Sequence, residues 1–253
     1  MLKEIRHSKI LQLIKDNKTI STKKIAKELK SPEVTIRKDL AYLEKLGKIN
    51  RIHGGASIIE KSMISELTMQ EKKVKNIELK KKIAKNALSL IKKNDYIFLD
   101  SGSTTLEISE LILKHIDFQM TVFTNSIEIL SKLSLKNNID LYVIGNHLRK
   151  KTGAFVFSDY DDDITEKMIL SKSFIGANAF DSNFAYTPTS EEAKIKNKMI
   201  EISQTPILIA DSTKTNTISL WKISEIQKFK MIITDEKTEL IKELEEDGLK
   251  III

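Results

Sequence analysis

Asp100-Ser101-Gly102-Ser103-Thr104-Thr105 is the stretch of this chain best equipped to do chemistry. It holds one carboxylate, four hydroxyls and one of only eight glycines, and it sits between an apolar run and a helical pattern. Backbone amides at a helix N-terminus, joined by hydroxyls, make a cradle for a phosphate or another anion. No Gly-Lys-Ser/Thr follows the glycine, which excludes a Walker loop, and a dinucleotide fingerprint would need three spaced glycines. A well-capped helix start uses the same residues, so the stretch gains meaning from its company. That company is Thr124-Asn125, Gly145 with Arg149, Gly176, Glu191-Glu192-Ala193-Lys194, and Asp211-Ser212-Thr213-Lys214. Most of these pieces follow an apolar run. Together they predict a polar pocket for a small, anionic, hydroxylated ligand, with Ser101 to Thr105 on its anionic group and Lys214 supplying opposite charge.

The elements that must position these residues are legible from about Glu78 onward. Strand-like runs fall at Tyr96–Asp100, Thr121–Thr124, Asp140–Ile144, Ser173–Gly176, Pro206–Asp211, Met231–Asp235 and Lys250–Ile253. Helical patterns fall at Leu79–Ile91, Thr104–His115, Ser126–Leu135, Glu191–Ser203 and Lys237–Glu246. Alternation of this kind predicts an α/β domain with a mostly parallel sheet. Ligands of open parallel sheets bind beyond the carboxyl ends of the strands. Gly102, Gly145 and Gly176 lie at or just past such ends, which predicts one shared site.

The first 56 residues are different. They hold 14 Lys+Arg against 6 Asp+Glu, a net of +8, while the rest of the chain holds 28 against 29. A basic module on a near-neutral body is the footprint of a polyanion binder. One helical stripe runs over Ile5, Ile10, Leu11, Leu13 and Ile14; a second helix, capped by Ser21, buries Ile25, Ala26 and Leu29. Ser31-Pro32-Glu33 reads as the start of a third helix, with Ser31 as its cap. Val34, Ile36, Leu40, Leu43 and Leu46 are its apolar positions, and Gly47 ends it. Thr35, Arg37 and Lys38 project from its first turns, as the base-reading residues of a helix-turn-helix do. Lys48 to His53 then alternates like a strand and ends in Gly54-Gly55, a wing that would bring Arg51 and His53 to the phosphate backbone.

Composition sets the surroundings. The chain has 253 residues, 41% hydrophobic and 30% charged, the balance of a globular protein. Without cysteine it has no disulfide, thiol nucleophile or thiolate metal site. Its histidines, His7, His53, His115 and His147, never take metal-ligand spacing. No metal and no cofactor is expected. The longest run free of charge is ten residues, Phe118 to Ile127, about half of a membrane span. Lys3, Glu4 and Arg6 stand where a signal peptide would begin its apolar run, so a cytoplasmic protein without membrane partners is expected.

Ser31-Pro32-Glu33-Val34-Thr35-Ile36-Arg37-Lys38-Asp39-Leu40, followed by Leu43, Gly47 and Arg51-Ile52-His53-Gly54-Gly55-Ala56, resembles the winged-helix signature of the DeoR family of bacterial transcription regulators. Lys38 stands in a position where that family generally has Arg. Leu99 to Thr105, Thr124-Asn125-Ser126, Phe174-Ile175-Gly176, Glu192-Ala193, Lys198-Met199-Ile200, Asp211 to Lys214 and Ile233-Thr234-Asp235 are similar to the sensor domain of the same family. The resemblance thus spans essentially the whole chain. Phe174 to Ala179 and Tyr186 to Ala193 look most like the repressors of lactose phosphotransferase systems. Asn146 and Asn94 depart from glycines usual in the family.

The resemblance implies an N-terminal winged helix-turn-helix over 1–56, a linker over 57–77 and an α/β sensor over 78–253. The sensor fold would be similar to ribose-5-phosphate isomerase and glucosamine-6-phosphate deaminase. It implies a repressor of a sugar-metabolism operon that binds double-stranded operator DNA as a homodimer or homotetramer and is controlled by a phosphorylated sugar. DNA would be held by Ser31, Thr35, Arg37, Lys38, Arg51, His53, Gly54 and Gly55. The effector would be held by Asp100, Ser101, Gly102, Ser103, Thr104, Thr105, Thr124, Asn125, Gly145, Arg149, Gly176, Lys194 and Lys214. The alternatives are a sugar-phosphate isomerase or deaminase with an appended DNA-binding module, with Asp100, Glu191 or Asp211 as the base, and a metabolite-blind architectural DNA binder.

Overall fold

The computed structural model describes residues 2–45, 48–57, 66–157 and 167–253, and the chain divides into two units, Met1–Lys61 and Ser62–Ile253. In the first, the order is α1 (Lys3–Asn17), β1 (Thr19–Ser21), α2 (Thr22–Glu28), α3 (Glu33–Lys45), β2 (Asn50–Ile52) and β3 (Gly55–Ser57). Ser21 caps α2 by accepting from the Lys24 amide at 3.2 Å. The apolar faces of the three helices close on Ile10, Ile14, Ile25, Ile36, Leu40 and Leu43. The β2–β3 hairpin is the expected wing, and β3 also pairs with β1 to give the order β1-β3-β2. Gly54 turns the hairpin at φ +75°, and a Cβ on Gly55 would stand 2.3 Å from the Ile20 carbonyl oxygen. Only glycine allows β3 to lie that close to β1.

Two sequence expectations change in this unit. The Ser31 hydroxyl donates back to the Leu29 carbonyl at 3.1 Å, so Ser31 finishes the preceding turn, and α3 begins two residues later. Val34 is 65% exposed, because the buried face of α3 runs through Ile36, Asp39, Leu40 and Leu43. Leu46 and Gly47, the expected end of the third helix, lie outside the described residues, as do positions 58–65 of the expected linker.

The second unit begins with α4 (Met69–Val74) and α5 (Ile77–Leu88). Two strand–helix pairs and a further strand follow: β4 (Tyr96–Leu99), α6 (Ser103–His115), β5 (Met120–Thr124), α7 (Ile127–Leu133) and β6 (Ile139–Val143). After a hairpin of β7 (His147–Arg149) and β8 (Ala154–Val156) come β9 (Leu170–Gly176), β10 (Ala179–Phe180), β11 (Phe184–Thr187) and α8 (Ser190–Glu201). The chain closes with β12 (Ser203–Ile209), β13 (Trp221–Glu225), β14 (Met231–Ile233), α9 (Glu239–Glu246) and β15 (Lys250–Ile252). All seven strands of the predicted sheet are present, in the order β15-β14-β12-β9-β4-β5-β6, with every pairing parallel.

Strand periodicity divides the core. Ile97, Leu99, Phe174, Ile207, Ile209 and Ile233 point to the side covered by α5, α6 and α7. Their neighbours Phe98, Ile175, Leu208 and Ile232 point to the other side, covered by α8, α9 and the small sheet β10-β11-β13. Burial on both faces is what a parallel sheet requires. From β4 the chain proceeds outward through β5 and β6; from β9 it proceeds the other way through β12, β14 and β15. The reversal between β4 and β9 opens the crevice at which α/β sheets take ligands. Asn94 turns into β4 at φ +63°, a conformation asparagine tolerates better than most residues.

Residues 57–77, expected as a linker, contain α4. Thr68 and Glu71 form a capping box at its start, and Met69 is buried with its amide donating to the Lys151 carbonyl at 3.2 Å.

Candidate functional site

The carboxyl ends of β4 and β9 open into a cavity of about 270 Å³. Asp100, the first residue beyond β4, is completely buried. Its Oδ2 accepts from the Gly176 amide at 3.0 Å and pairs with the Lys196 ammonium group. Lys196 donates in turn to the Gly176 carbonyl at 3.0 Å. A Cβ on Gly176 would sit 3.2 Å from the same carboxylate oxygen, so the glycine lets β9 meet Asp100 closely. The Oδ1 atom of Asp100 is buried and has no hydrogen-bond partner among the described residues. A carboxylate this deep requires a paired cation and hydrogen bonds of this kind.

Ser101, Gly102, Ser103 and Thr104 line the cavity where α6 begins, and the positive end of that helix faces the same region. Thr105 does not line it. Its hydroxyl accepts from the Gly102 amide at 3.0 Å and donates to the Gly102 carbonyl at 2.7 Å, which fixes the shape of the loop. Other walls come from Leu67, Lys72, Lys75 and Asn76 around α4, Lys80 of α5, Asn178 after β9, Glu192 and Lys196 of α8, and Asp211, Thr213 and Lys214 after β12. Asn76, at φ +55°, donates to Thr213 Oγ1 at 3.0 Å and Asp211 Oδ1 at 3.3 Å. It ties the α4–α5 turn to the loop after β12.

Five lysines and three carboxylates line this space. Burial pushes the Lys80 ammonium down to about 8, although Asp211 opposes the shift; its Nζ donates to the carbonyl oxygens of Lys72 and Lys75. Burial also lowers Lys72 and Lys214, with Lys196 and Lys75 respectively adding to it against nearby carboxylates. Glu192 moves the opposite way from what burial alone would do: Lys196, Lys72 and Arg149 hold its carboxyl below the usual range. It accepts from Arg149 Nη1 at 2.5 Å, Thr152 at 3.0 Å and Thr187 at 3.0 Å. The surplus of desolvated cations, the hydroxyls and the helix N-terminus suit one kind of guest, a compact anion carrying hydroxyl groups.

The expected ligand residues therefore separate. Asp100, Ser101, Gly102, Ser103, Thr104, Gly176 and Lys214 come together at the cavity. Thr124 does not line it; its hydroxyl donates to the Leu99 carbonyl at 2.7 Å. Asn125 spends its amide on the Phe155 carbonyl at 3.2 Å. Gly145, at φ +98°, accommodates the backbone of Phe155, whose carbonyl carbon would lie 2.9 Å from an added Cβ. Arg149 is held between Glu192 and Glu66, 3.0 Å from the latter. Lys194 is exposed, and Lys196, one turn beyond Glu192 on the inward face of α8, is the lysine that reaches Asp100. Lys196, Lys72, Lys75, Lys80 and Asn76 were missed. For Lys196 a signal existed, since Ile195, Met199 and Ile200 mark the buried face it shares. Among the described residues, no group of three or more His, Cys, Asp or Glu could hold a metal ion, and no helix is long and apolar enough to cross a membrane.

In the first unit, Arg37 and Lys38 are exposed on α3, beside the half-exposed Thr35. Arg37 touches Glu33 at 3.5 Å. His53 is exposed at the wing tip, and Arg51 on β2 lies 3.7 Å from Glu44. Behind α3, Asp39 is buried between Arg6, at 2.5 Å, and His7, at 2.9 Å. These two bonds anchor α1 to the helix that carries Arg37.

A winged helix-turn-helix on one unit and a polar cavity in an α/β unit define a ligand-responsive DNA-binding regulator. The chain belongs to the DeoR family: residues 6–62 match the DeoR-like helix-turn-helix domain, and residues 75–236 match the DeoR C terminal sensor domain. It is 34% identical to the lactose phosphotransferase system repressor of Lactococcus lactis over 94% of this chain and 92% of that one. It is 31% identical to the HTH-type transcriptional regulator GlpR of Haloferax volcanii, over 93% of this chain and 91% of that one. Among solved structures it is similar to ribose 5-phosphate isomerase a of Methanocaldococcus jannaschii at 19% identity, with a TM-score of 0.41 over 55% of each chain. Family membership makes the protein a regulator of transcription and sets aside the isomerase or deaminase alternative.

Proposed function

We propose that the chain represses a sugar-metabolism operon in the cytoplasm and that its cavity takes a phosphorylated sugar which changes its hold on the operator. The observation that carries this reading is the cavity itself, where the hydroxyl-lined start of α6 meets Lys72, Lys196 and Lys214. The phosphate sits on Ser101 to Thr104 at the helix N-terminus, and the lysines balance its charge. Asp100, made immobile by Lys196 and Gly176, accepts from a sugar hydroxyl through its second oxygen. The likeness to a lactose phosphotransferase system repressor supports a sugar phosphate as the guest.

On the DNA side, Thr35, Arg37 and Lys38 read the major groove from α3. Ser31, Arg51, His53 and the Gly54-Gly55 turn hold the phosphate backbone. Two copies bind as a dimer, one half-site each. Effector control requires that the sugar phosphate bind more tightly to one arrangement of the protein than to the other.

The test is binding to promoter DNA from the protein's own gene neighbourhood, at fixed salt, with and without a panel of sugar phosphates. Salt is fixed because phosphate contacts make affinity steeply salt-dependent. One compound should shift DNA affinity about tenfold, a coupling of ordinary size, while its unphosphorylated sugar does not. Specific DNA binding that no compound moves would overturn the effector assignment.

A further inference from the structure

We infer that Val34 is a specificity-determining residue, reading the C5-methyl group of a thymine in the operator. The inference rests on α3 entering the major groove. Its own observation is the composition of the outward face of that helix. Ile36, Leu40 and Leu43 are buried, while Val34, Arg37, Lys38 and Ala41 form an exposed face at helical spacing. Val34 is 65% exposed and the Arg37 side chain 66% exposed.

Valine is a poor choice for a solvated helix surface. Its branched side chain restricts the helix, and water gains nothing from it. Neighbouring cations exclude a protein core as its destination and favour a polyanion. The one apolar group that a polyanion of this kind offers in its major groove is the thymine methyl. A helix reads base edges from its N-terminal turns, and Val34 is the second residue of α3. Arg37 and Lys38, three and four positions on, flank the same face and are placed to hydrogen-bond guanine or to hold phosphate. The chain thus carries an apolar contact between its two polar ones, and the operator should carry a thymine at the matching position.

The experiment uses the full chain and an operator selected by it from random duplex DNA. Each thymine is replaced singly by deoxyuridine, which pairs identically and lacks only the methyl. Wild type should lose about fourfold in affinity at one thymine per half-site, the worth of one methyl group removed from water. With Val34→Ala, which leaves the core untouched, that same replacement should become neutral, a non-additive pair. Val34→Ser should behave as Val34→Ala does. If every replacement is neutral in wild type, or if the loss persists in Val34→Ala, the inference fails. Arg37→Ala separates this failure from a wrong groove assignment: if it leaves operator discrimination unchanged, α3 is not the reading helix at all.

Discussion

Raising the pH from about 7 to about 9 should weaken binding of a sugar phosphate while leaving the ligand's own charge unchanged, since a phosphate monoester is fully ionised above its second pKa of about 6. The responsible group is Lys80, 5% exposed at the cavity wall and pushed down to about 8 by burial. Lys80 is then about nine-tenths protonated at pH 7 and about one-tenth at pH 9, so a guest that needs the ammonium form loses about tenfold in apparent affinity. Burial lowers Lys72 and Lys214 in the same direction. Titration calorimetry in buffers of different ionisation enthalpy measures the coupling directly. Near pH 8, binding should take up about half a proton per ligand through Lys80, and Lys80→Met should remove that share. Stability of the free protein carries the opposite sign. Between about 8 and the ordinary lysine value of about 10.4 the unfolded chain holds more protons, so this group adds stability as pH rises. Affinity that stays flat from pH 7 to 9, with no proton uptake, would refute the account of the cavity as a desolvated lysine cluster.

Arg149→Met should take one of three cations from Glu192, leaving Lys196 and Lys72, while the carboxylate stays 3% exposed; urea unfolding of the sensor unit should show a loss of about 1–3 kcal/mol, and no measurable loss would contradict the burial argument. Gly55→Ala places a methyl 2.3 Å from the Ile20 carbonyl oxygen. It should separate β3 from β1, lower the melting temperature of the first unit and weaken DNA binding; an unchanged melt would show that the wing is not pinned there. Asp39 is held below the usual carboxylate range because bonds from Arg6 and His7 outweigh burial. Its contribution is complete above about pH 4 and is lost as the pH falls below that range, so Asp39→Asn should flatten the acid limb of the first unit's unfolding curve.

Local pattern carried much of this far. Apolar runs marked all seven strands of the large sheet, and Ser101 to Thr104 announced a helix start with spare hydroxyls. Adjacency was not legible. Nothing near Leu99 says that its neighbour in the sheet is Phe174, 75 positions on, and it is this pairing that brings Gly176 to Asp100. The same limit explains Lys72 and Lys75, which look like a solvated charge run until the α4–α5 turn is folded back through Asn76. Val34 and Lys194 failed for a different reason. Residue type suggested core for one and ligand for the other, whereas helical phase, set by Ile36-Leu40-Leu43 and by Ile195-Met199, puts both on the outside. Gly145 shows that rarity of a residue type indicates a backbone need without saying which: a close strand crossing fulfils it, not a ligand.

The placement of α4 in the cavity wall bears on how such regulators can exchange parts. The family's sensor match begins at residue 75, yet Glu66, Leu67 and Lys72 precede it, and two of them face the cavity. A chimera joined at 75 would combine the strands and loops of one parent with the wall and charges of another. Its recognition would then belong to neither. Joined before Glu66, the transplanted sensor would keep its own wall, and ligand preference would travel intact with the graft. Shuffling among relatives should therefore leave seams ahead of Glu66, not at the start of α5.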